Sequence, residues 1–177
     1  SEVQKAGAIF DITKLDWINS QHLNNLSKEA FKTQIMPFID NLGIDYSQYQ
    51  QLDELIEAMR SVKPNLQLIA QALIPYLDTF KEYDEKGVSK FLIGSEETLI
   101  LVIESLQTIK SWSEVEIDSM LVKIQEKLGL KTPQMNQPIR IALTGSTQSP
   151  SLGLTIKLMG RNKSIELLNK ALKFITK

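Results

Sequence analysis

The chain has 177 residues, of which 42% are hydrophobic, and a formal net charge of -1, so it can bury a core without external staples. It contains no cysteine and one histidine, His22, which excludes disulfides, thiolate zinc sites and multi-histidine metal sites. No apolar run reaches the roughly 20 residues that cross a bilayer, and no signal-peptide core follows the first residues. We therefore expect a cytoplasmic protein without a membrane partner.

Positive charge is concentrated at the C-terminal end of the chain. Residues 131–177 carry eight lysines and arginines against one acid, Glu166, for a net +7, whereas residues 1–130 carry -8. Such a split indicates a surface for a polyanion near the C terminus. A solvated lysine-rich last helix explains it equally well.

Apolar residues recur at helical spacing along almost the whole chain, which predicts an all-α fold. The clearest runs, in chain order, are Leu52, Leu55, Ile56 and Met59; Leu99, Val102, Ile103 and Leu106; and Ile117, Leu121, Ile124 and Leu128. Four glycines, Gly43, Gly87, Gly129 and Gly160, follow such runs, and we expect each to end a helix in the left-handed conformation.

Several residues predict where helices begin and what they bury. Ser113, followed three residues later by Glu116, forms a capping box that opens the helix ending at Leu128. Prolines 138 and 150 are expected in first turns, and Ser149 and Asn162 are expected to cap the last two helices. Near the N terminus, Phe10 and Trp17 are expected to be core anchors.

The composition changes near residues 108–113, where the acidic, Leu/Ile-rich part of the chain gives way to the basic end. This change predicts two small helical domains, residues 1–110 and 111–177.

No catalytic constellation is present in the sequence. It lacks a Walker loop, a dinucleotide-binding glycine fingerprint, an HExxH motif and a nucleophile elbow. We expect no catalytic residue, no metal and no cofactor in this chain.

One segment, residues 138–152, is not typical of a routine helix. A lone arginine, Arg140, precedes a hydroxyl-rich loop with a glycine that leads into a helix N-terminus at Pro150. A guanidinium, free backbone N–H groups and short polar side chains are what reading an unstacked RNA base and its phosphate requires. The alternative is a capped loop between helices with an exposed arginine.

These segments together resemble glutamyl-tRNA synthetase of the bacterial type. Matching stretches are Gly7–Asp11, Lys14–Asn19, Trp112–Glu116, Lys127–Lys131, Pro138–Gly145, Ser149–Pro150 and Gly160, so the similarity covers nearly the whole chain. The resemblance implies the anticodon-binding region of a class I aminoacyl-tRNA synthetase, a helical bundle or α-helix cage that grips the anticodon arm of tRNA(Glu). It also implies a monomer that does not use DNA.

The resemblance also implies roles for particular residues. Arg140, Ser149, Pro150 and Leu152 fall where the family contacts anticodon bases, with Leu152 supplying apolar contact. Lys157, Arg161, Lys163 and Lys170 are interpreted as contacts to the tRNA backbone or as general steering.

One departure from the family concerns Asn65, which stands where many relatives have an arginine. The missing guanidinium leads to the hypothesis that the parent enzyme tolerates more than one base at the first anticodon position and also charges tRNA(Gln).

The ATP-binding signatures of the family are absent from the sequence. The resemblance therefore implies a fragment that does not activate glutamate, cut from a ligase that uses ATP with Mg. The alternative function is a non-catalytic helical protein-interaction module with a basic C-terminal surface; a helical bundle that binds a small molecule is a further alternative.

Overall fold

The computed structural model describes residues 11–80 and 82–177, which form ten α-helices, one π-helical segment and no strand. The α-helices are α1 (Ile12–Asn24), α2 (Lys28–Asp40), α3 (Leu52–Met59), α4 (Leu66–Leu77), α5 (Glu85–Gly87), α6 (Glu96–Thr108), α7 (Glu114–Leu128), α8 (Thr132–Thr144), α9 (Leu152–Met159) and α10 (Arg161–Ile175). The π-helical segment, Val88–Leu92, directly follows α5. The prediction of an all-α fold is confirmed.

Two of the four predicted glycines directly follow a helix, Gly129 after α7 and Gly160 after α9, whereas α2 ends three residues before Gly43. Gly43, Gly129 and Gly160 have positive φ, at 67°, 63° and 81°. Gly87 has φ of -64° and lies within a helical turn, so the prediction for it is wrong. Its lack of a side chain serves packing instead, because a Cβ there would come within 3.0 Å of the Ile141 side chain.

The helix starts near the C terminus differ from the predicted ones. Pro138 lies inside α8 rather than in its first turn, and the N-cap of α9 is Ser151, whose Oγ accepts from the Leu154 N–H at 3.3 Å. Helix α9 therefore begins after Pro150, and Ser149 lies in the preceding loop. Asn162 is inside α10, which begins directly after Gly160.

The predicted helix start at Ser113 is confirmed. Its Oγ accepts from the Glu116 N–H at 3.3 Å, and the helix that follows, α7, ends at Leu128 as expected.

The buried side chains form one cluster that includes residues from both sides of the predicted domain boundary. Phe31 and Leu73 on one side and Ile139 and Leu168 on the other are fully buried in it. Helix α10 packs against α6, and α8 packs against α4. The division at residues 110 and 111 stays a prediction.

Helix α1 presents apolar side chains to solvent. Trp17 is 64% exposed and Ile12 is 66% exposed, while Leu23 is the buried residue of this helix. The prediction that Trp17 anchors the core is therefore wrong. Phe10, with the part of the family-like stretch from Gly7 to Phe10, lies outside the described residues.

None of the helices in the described part of the chain is both long enough and apolar enough to cross a membrane.

Candidate nucleic-acid interface

The loop between α8 and α9, residues 145–151, is fixed at its start by a glycine. Gly145 ends α8 with φ of 70°, and its N–H donates to the Ile141 carbonyl at 2.8 Å. Its own carbonyl accepts from the Asp84 N–H at 2.7 Å. A Cβ at Gly145 would come 2.8 Å from the Glu82 carbonyl oxygen, so the loop starts in tight contact with the segment that precedes α5.

A chain of hydroxyl groups connects this loop to Arg140 and to the core. The Nε of Arg140 donates to the Ser149 Oγ at 2.8 Å, and the Thr155 Oγ1 donates to the same oxygen at 3.1 Å. The Tyr76 hydroxyl in turn donates to the Thr155 Oγ1 at 3.3 Å. Ser149 itself donates to the Pro150 carbonyl at 2.9 Å. We call these four side chains (Arg140, Ser149, Thr155 and Tyr76) the hydroxyl relay.

The hydroxyl relay orients the Arg140 side chain while leaving its terminal groups available. Only Nε takes part in a side-chain hydrogen bond, and among the described residues neither Nη1 nor Nη2 donates to a protein acceptor. No carboxylate in the described part of the chain lies within ion-pair distance of this guanidinium. Up to four N–H donors can therefore reach a ligand outside the chain.

Burial affects the acid–base properties of the relay. It lowers the pKa of Arg140, a shift that nearby Tyr76 partly opposes, and the guanidinium stays charged because arginine does not deprotonate in proteins. Burial also raises the pKa of Tyr76 to about 12, so its hydroxyl remains a donor at neutral pH.

A groove of about 670 Å³ lies beside the loop, between it and α4. Its lining includes Ser149 and Gln148 of the loop and Lys63, which precedes α4. The Lys63 Nζ donates to the Gln148 side chain, so the loops that precede α4 and α9 meet at this point. The groove therefore lies beside Ser149, which accepts from Arg140, whereas Arg140 itself is not among its lining residues.

Asn65 has a structural role at the start of α4. Its Oδ1 accepts from the Leu68 N–H at 3.0 Å, which makes it the N-cap of that helix. The carboxamide NH2 group remains, with two donors. Asn65 also lines a second cavity, of about 340 Å³, together with His22, Gln34 and Gln67.

The N-terminus of α9 faces carboxylates rather than open solvent. The Asp118 carboxylate lies against Gly153, since a Cβ there would come 2.2 Å from its Oδ1. Ser151, the N-cap, donates to Glu114 at 2.7 Å. Burial and the charge of Glu114 raise the pKa of Asp118, and the Gly153 amide opposes this. Two negative side chains at this helix start disfavour a phosphate, so the binding chemistry of the loop depends on Arg140.

The other residues predicted to contact anticodon bases differ in accessibility. Leu152 is 4% exposed and packs in the core, where it supports the loop from beneath. Pro150 is partly exposed, and its carbonyl accepts from Ser149.

Three of the four residues predicted to contact the tRNA backbone, all except Lys170, are engaged within the protein. Lys157 forms an ion pair with Glu54 at 2.6 Å. Lys163 donates from Nζ to the carbonyls of Tyr76 and Asp78, both at 2.9 Å, which satisfies the end of α4. Burial lowers the pKa of Lys163.

Arg161 is similarly occupied. Its guanidinium donates to the carbonyls of Leu106, Gln107 and Ile109 at 3.0, 3.2 and 2.7 Å, at the C-terminal end of α6. The same guanidinium lies 5.0 Å from the centre of the Trp112 ring. These contacts tie α10 to α6.

Tyr76 and Thr155 belong to the site but carry no recognisable sequence signal. They are 79 residues apart, and Tyr76 follows a run of apolar residues that is typical of a core helix. Only the packing of α4 against α8 and α9 places the hydroxyl of one beside that of the other.

The fold and the loop define a class of protein, an all-helical module with a guanidinium held by a hydroxyl-rich loop. A family model described as "Anticodon binding domain" matches residues 20–172, and the chain belongs to this anticodon-binding domain family.

Curated relatives connect the family to one kind of enzyme. "Glutamate--tRNA ligase 2" of Coxiella burnetii strain Dugway 5J108-111 is 33% identical over 180 residues, which cover 99% of this chain and 38% of the relative. "Glutamate--tRNA ligase 1" of strain RSA 331 / Henzerling II matches with the same identity and coverage. The resemblance stated from the sequence is confirmed, and the chain spans a little over a third of the length of these relatives.

Solved structures share the fold. A glutamate tRNA ligase from Elizabethkingia meningosepticum, crystallised with its amino acid, superposes with a TM-score of 0.77 at 19% identity, over 94% of this chain and 33% of that one. A glutamate-tRNA synthetase from Elizabethkingia anophelis gives a TM-score of 0.74 at 20% identity, over 93% and 32% of the two chains.

Proposed function

We propose that this chain recognises the anticodon arm of tRNA(Glu), with Arg140 as the principal base-reading side chain. The observation that carries the proposal is the geometry of Arg140, whose Nε is held by Ser149 at 2.8 Å while its terminal amino groups face no protein acceptor among the described residues. A planar, permanently charged donor group fixed at one end can reach the acceptors on a base edge with little further loss of side-chain entropy.

The proposal extends to the parent protein, of which this chain is the tRNA-recognising part. The parent is a cytoplasmic, monomeric class I aminoacyl-tRNA synthetase that joins glutamate to tRNA(Glu) with ATP and Mg. The nucleotide-binding motifs for that reaction belong to a part of the parent that this chain does not contain, and the chain itself supplies binding and orientation.

The first test is binding of the chain to tRNA(Glu) transcripts with native and scrambled anticodons. We expect tighter binding to the native anticodon and loss of that preference in Arg140→Ala, by roughly 5- to 150-fold, the range of one specific base contact. Arg140→Lys keeps the charge but loses the fork, and it should bind both transcripts equally. Equal binding of both transcripts by the unaltered chain would overturn the proposal.

We also propose that the parent accepts tRNA(Gln). The anticodons for glutamate and glutamine differ in their third base rather than in their first, so the tolerance must apply to the third base. The cap that Asn65 provides for α4 leaves only its amide NH2 group to donate to a base. A neutral amide discriminates less strongly than a bidentate guanidinium.

This second proposal is tested with transcripts that differ only in the third anticodon base. The unaltered chain should bind both with similar affinity, and Asn65→Arg should introduce a preference. Asn65→Ser, which retains an N-cap, is the matched control and should show no preference. A strong preference in the unaltered chain would contradict the proposal.

A protein-interaction module is the second candidate function, and the exposed apolar side chains of α1 favour it. Ile12, Trp17 and Ile18 are each at least 47% exposed on this helix. Binding to tRNA that is weak and independent of the anticodon would favour this candidate.

A further inference from the structure

A second positively charged surface lies on the C-terminal half of α10. Lys170, Lys173 and Lys177 line a groove of about 520 Å³ together with Phe174 and Tyr83. We call this surface the α10 groove. Glu166 and Asn169 complete its lining, so the groove has one acid against three lysines.

The lysines of the α10 groove are available in a way that Lys157, Arg161 and Lys163 are not. All three are exposed, and within the described part of the chain none of them forms an ion pair or a side-chain hydrogen bond. The Nζ of Lys170 lies 5.4 Å from the centre of the Phe80 ring, which leaves its three N–H donors for an external acceptor. Three of the eight lysines and arginines in residues 131–177 therefore have free ammonium groups in this groove.

Aromatic rings run beside these lysines. The Phe80 and Tyr83 rings meet edge to face with centroids 5.2 Å apart, and the Tyr83 and Phe174 rings follow with centroids 5.1 Å apart. Phe174 ends the row and is 49% exposed, so part of its ring is open to solvent. An exposed ring beside cations is what a stacked, unpaired base and its phosphates require.

The aromatic row also connects the α10 groove with the loop between α8 and α9. The Phe80 ring lies within 3.0 Å of where a Cβ on Gly145 would stand, and the Asp84 N–H donates to the Gly145 carbonyl at 2.7 Å. Gly145 is the first residue of the loop that carries Ser149. Phe80 is buried, with 9% of its surface exposed, so this link runs through packed side chains, and Phe174 is the end of the row that solvent reaches.

We propose that the α10 groove binds the RNA segment next to the bases at Arg140, with phosphates at Lys170, Lys173 and Lys177 and one unpaired base stacked on Phe174. This inference rests on the proposed function, since it assigns a further contact surface to the same RNA. Lys170 and Lys173 lie about 4.5 Å apart along the axis of α10, and Lys177 follows two residues after the helix ends at Ile175. Three positive charges in succession can contact phosphates of one strand. The exposed Phe174 ring beside the lysines favours RNA over an acidic protein.

The test compares two triple variants that remove the same charge. Lys170→Gln/Lys173→Gln/Lys177→Gln changes the groove, and Lys110→Gln/Lys123→Gln/Lys127→Gln changes exposed lysines elsewhere. Affinity for tRNA(Glu) transcripts is measured between 50 and 200 mM salt. Three lost single-strand phosphate contacts should lower the slope of log K against log salt by about 2. The loss of affinity over that salt range then becomes roughly 15- to 20-fold smaller than for the unaltered chain.

The groove variant should weaken binding of native and scrambled anticodons alike, because phosphate contacts carry no sequence information. Phe174→Leu, which keeps an apolar cover over Tyr83, should weaken binding by about fivefold or more without changing the salt slope. A thermal melt of each variant confirms that the fold is retained.

Three results would overturn the inference. The first is a groove variant whose slope and affinity match those of the control triple. The second is a Phe174→Leu variant that binds as the unaltered chain does, and the third is a groove variant that loses binding to polyglutamate but not to tRNA. Failure of the proposed function looks different, because it appears as a chain whose binding ignores the anticodon and is unchanged by Arg140→Ala.

Discussion

The Nε of Arg140 and the Oγ of Ser149 lie 2.8 Å apart, and this hydrogen bond holds the guanidinium against the loop that follows α8. Removing the hydroxyl with Ser149→Ala leaves the positive charge in place but frees the side chain to adopt other rotamers. Hydrogen bonds to charged groups contribute about 1.5–3 kcal/mol. We expect the preference for the native anticodon to fall by roughly tenfold or more while binding to scrambled anticodons stays the same. Ser111→Ala, at an exposed position elsewhere, is the control.

The position of Thr155 in the hydroxyl relay gives a second prediction. Thr155 is fully buried, and its hydroxyl bridges Tyr76 and Ser149. Thr155→Val keeps the volume and leaves the Tyr76 hydroxyl without a partner, at a cost of about 1–3 kcal/mol. For a chain of this size that corresponds to a melting temperature lower by roughly 2–12 °C. Anticodon preference should decrease as well. Thr155→Ser keeps the hydroxyl and should retain the anticodon preference. If Thr155→Ser loses as much of this preference as Thr155→Val does, the hydroxyl relay does not position Arg140.

Arg161 gives a third prediction, which separates a structural role from RNA binding. Arg161→Lys keeps the charge, but its single ammonium nitrogen replaces two amino nitrogens that donate from separate positions to carbonyls at the end of α6. We expect the free energy of unfolding in urea to fall by about 1.5–3 kcal/mol. Affinity for tRNA should change less than twofold. A tenfold loss of affinity with unaltered stability would restore Arg161 as a contact to the tRNA backbone.

Two glycines with similar φ give a fourth prediction. Gly43 and Gly145 have φ of 67° and 70°, but a Cβ at Gly43 meets nothing within 4 Å, whereas at Gly145 it meets the Glu82 carbonyl at 2.8 Å. Gly43→Ala should cost about 1–2 kcal/mol, the cost of a left-handed residue. Gly145→Ala should cost more and should also reduce anticodon preference, because the loop must shift. Equal effects on the melting temperature would show that the loop accommodates the methyl group.

Asp118 gives a prediction about pH. Its pKa in the folded chain is raised above 3.8, first by burial and then by Glu114, so the folded state binds this proton more tightly than the unfolded state does. The carboxylate therefore opposes folding at neutral pH, and stability is gained as the pH falls through the folded pKa. Asp118→Asn should raise the melting temperature at pH 7, and the difference should disappear below pH 3.8. Glu126→Gln, an exposed change on the same helix, should have little effect. A lower melting temperature for Asp118→Asn at pH 7 would contradict this account.

Much of the fold could be predicted from the sequence because the helical spacing of apolar residues is strong. The start of α7 at Ser113 and its end at Gly129 depend on local chemistry, and the structure has both where that chemistry indicates. Trp17 was misplaced because a large aromatic residue usually anchors a core, and no local pattern marks a helix whose apolar side faces solvent.

The site was only partly predictable for a related reason. Arg140 stood out because it is a lone charge before a polar loop, which is a local signal. Lys157, Lys163 and Arg161 contact groups that lie 52 to 103 residues earlier in the chain. Their positive charge predicts a binding partner, but it does not reveal that this partner belongs to the same chain.

The ties between the early and late helices also affect how the chain can fold as it is synthesised. The Tyr49 hydroxyl donates to the Leu158 carbonyl at 2.7 Å, across 109 residues. At a synthesis rate of roughly 5–20 residues per second, Leu158 is added roughly 5 to 20 s after Tyr49. During that interval α3 has no α9 to bind, and the apolar side chains of the first four helices can reach only a partial core. Completion of the fold must wait for the last helices to leave the ribosome, which makes this a late-folding chain and exposes it to premature association while it is being made.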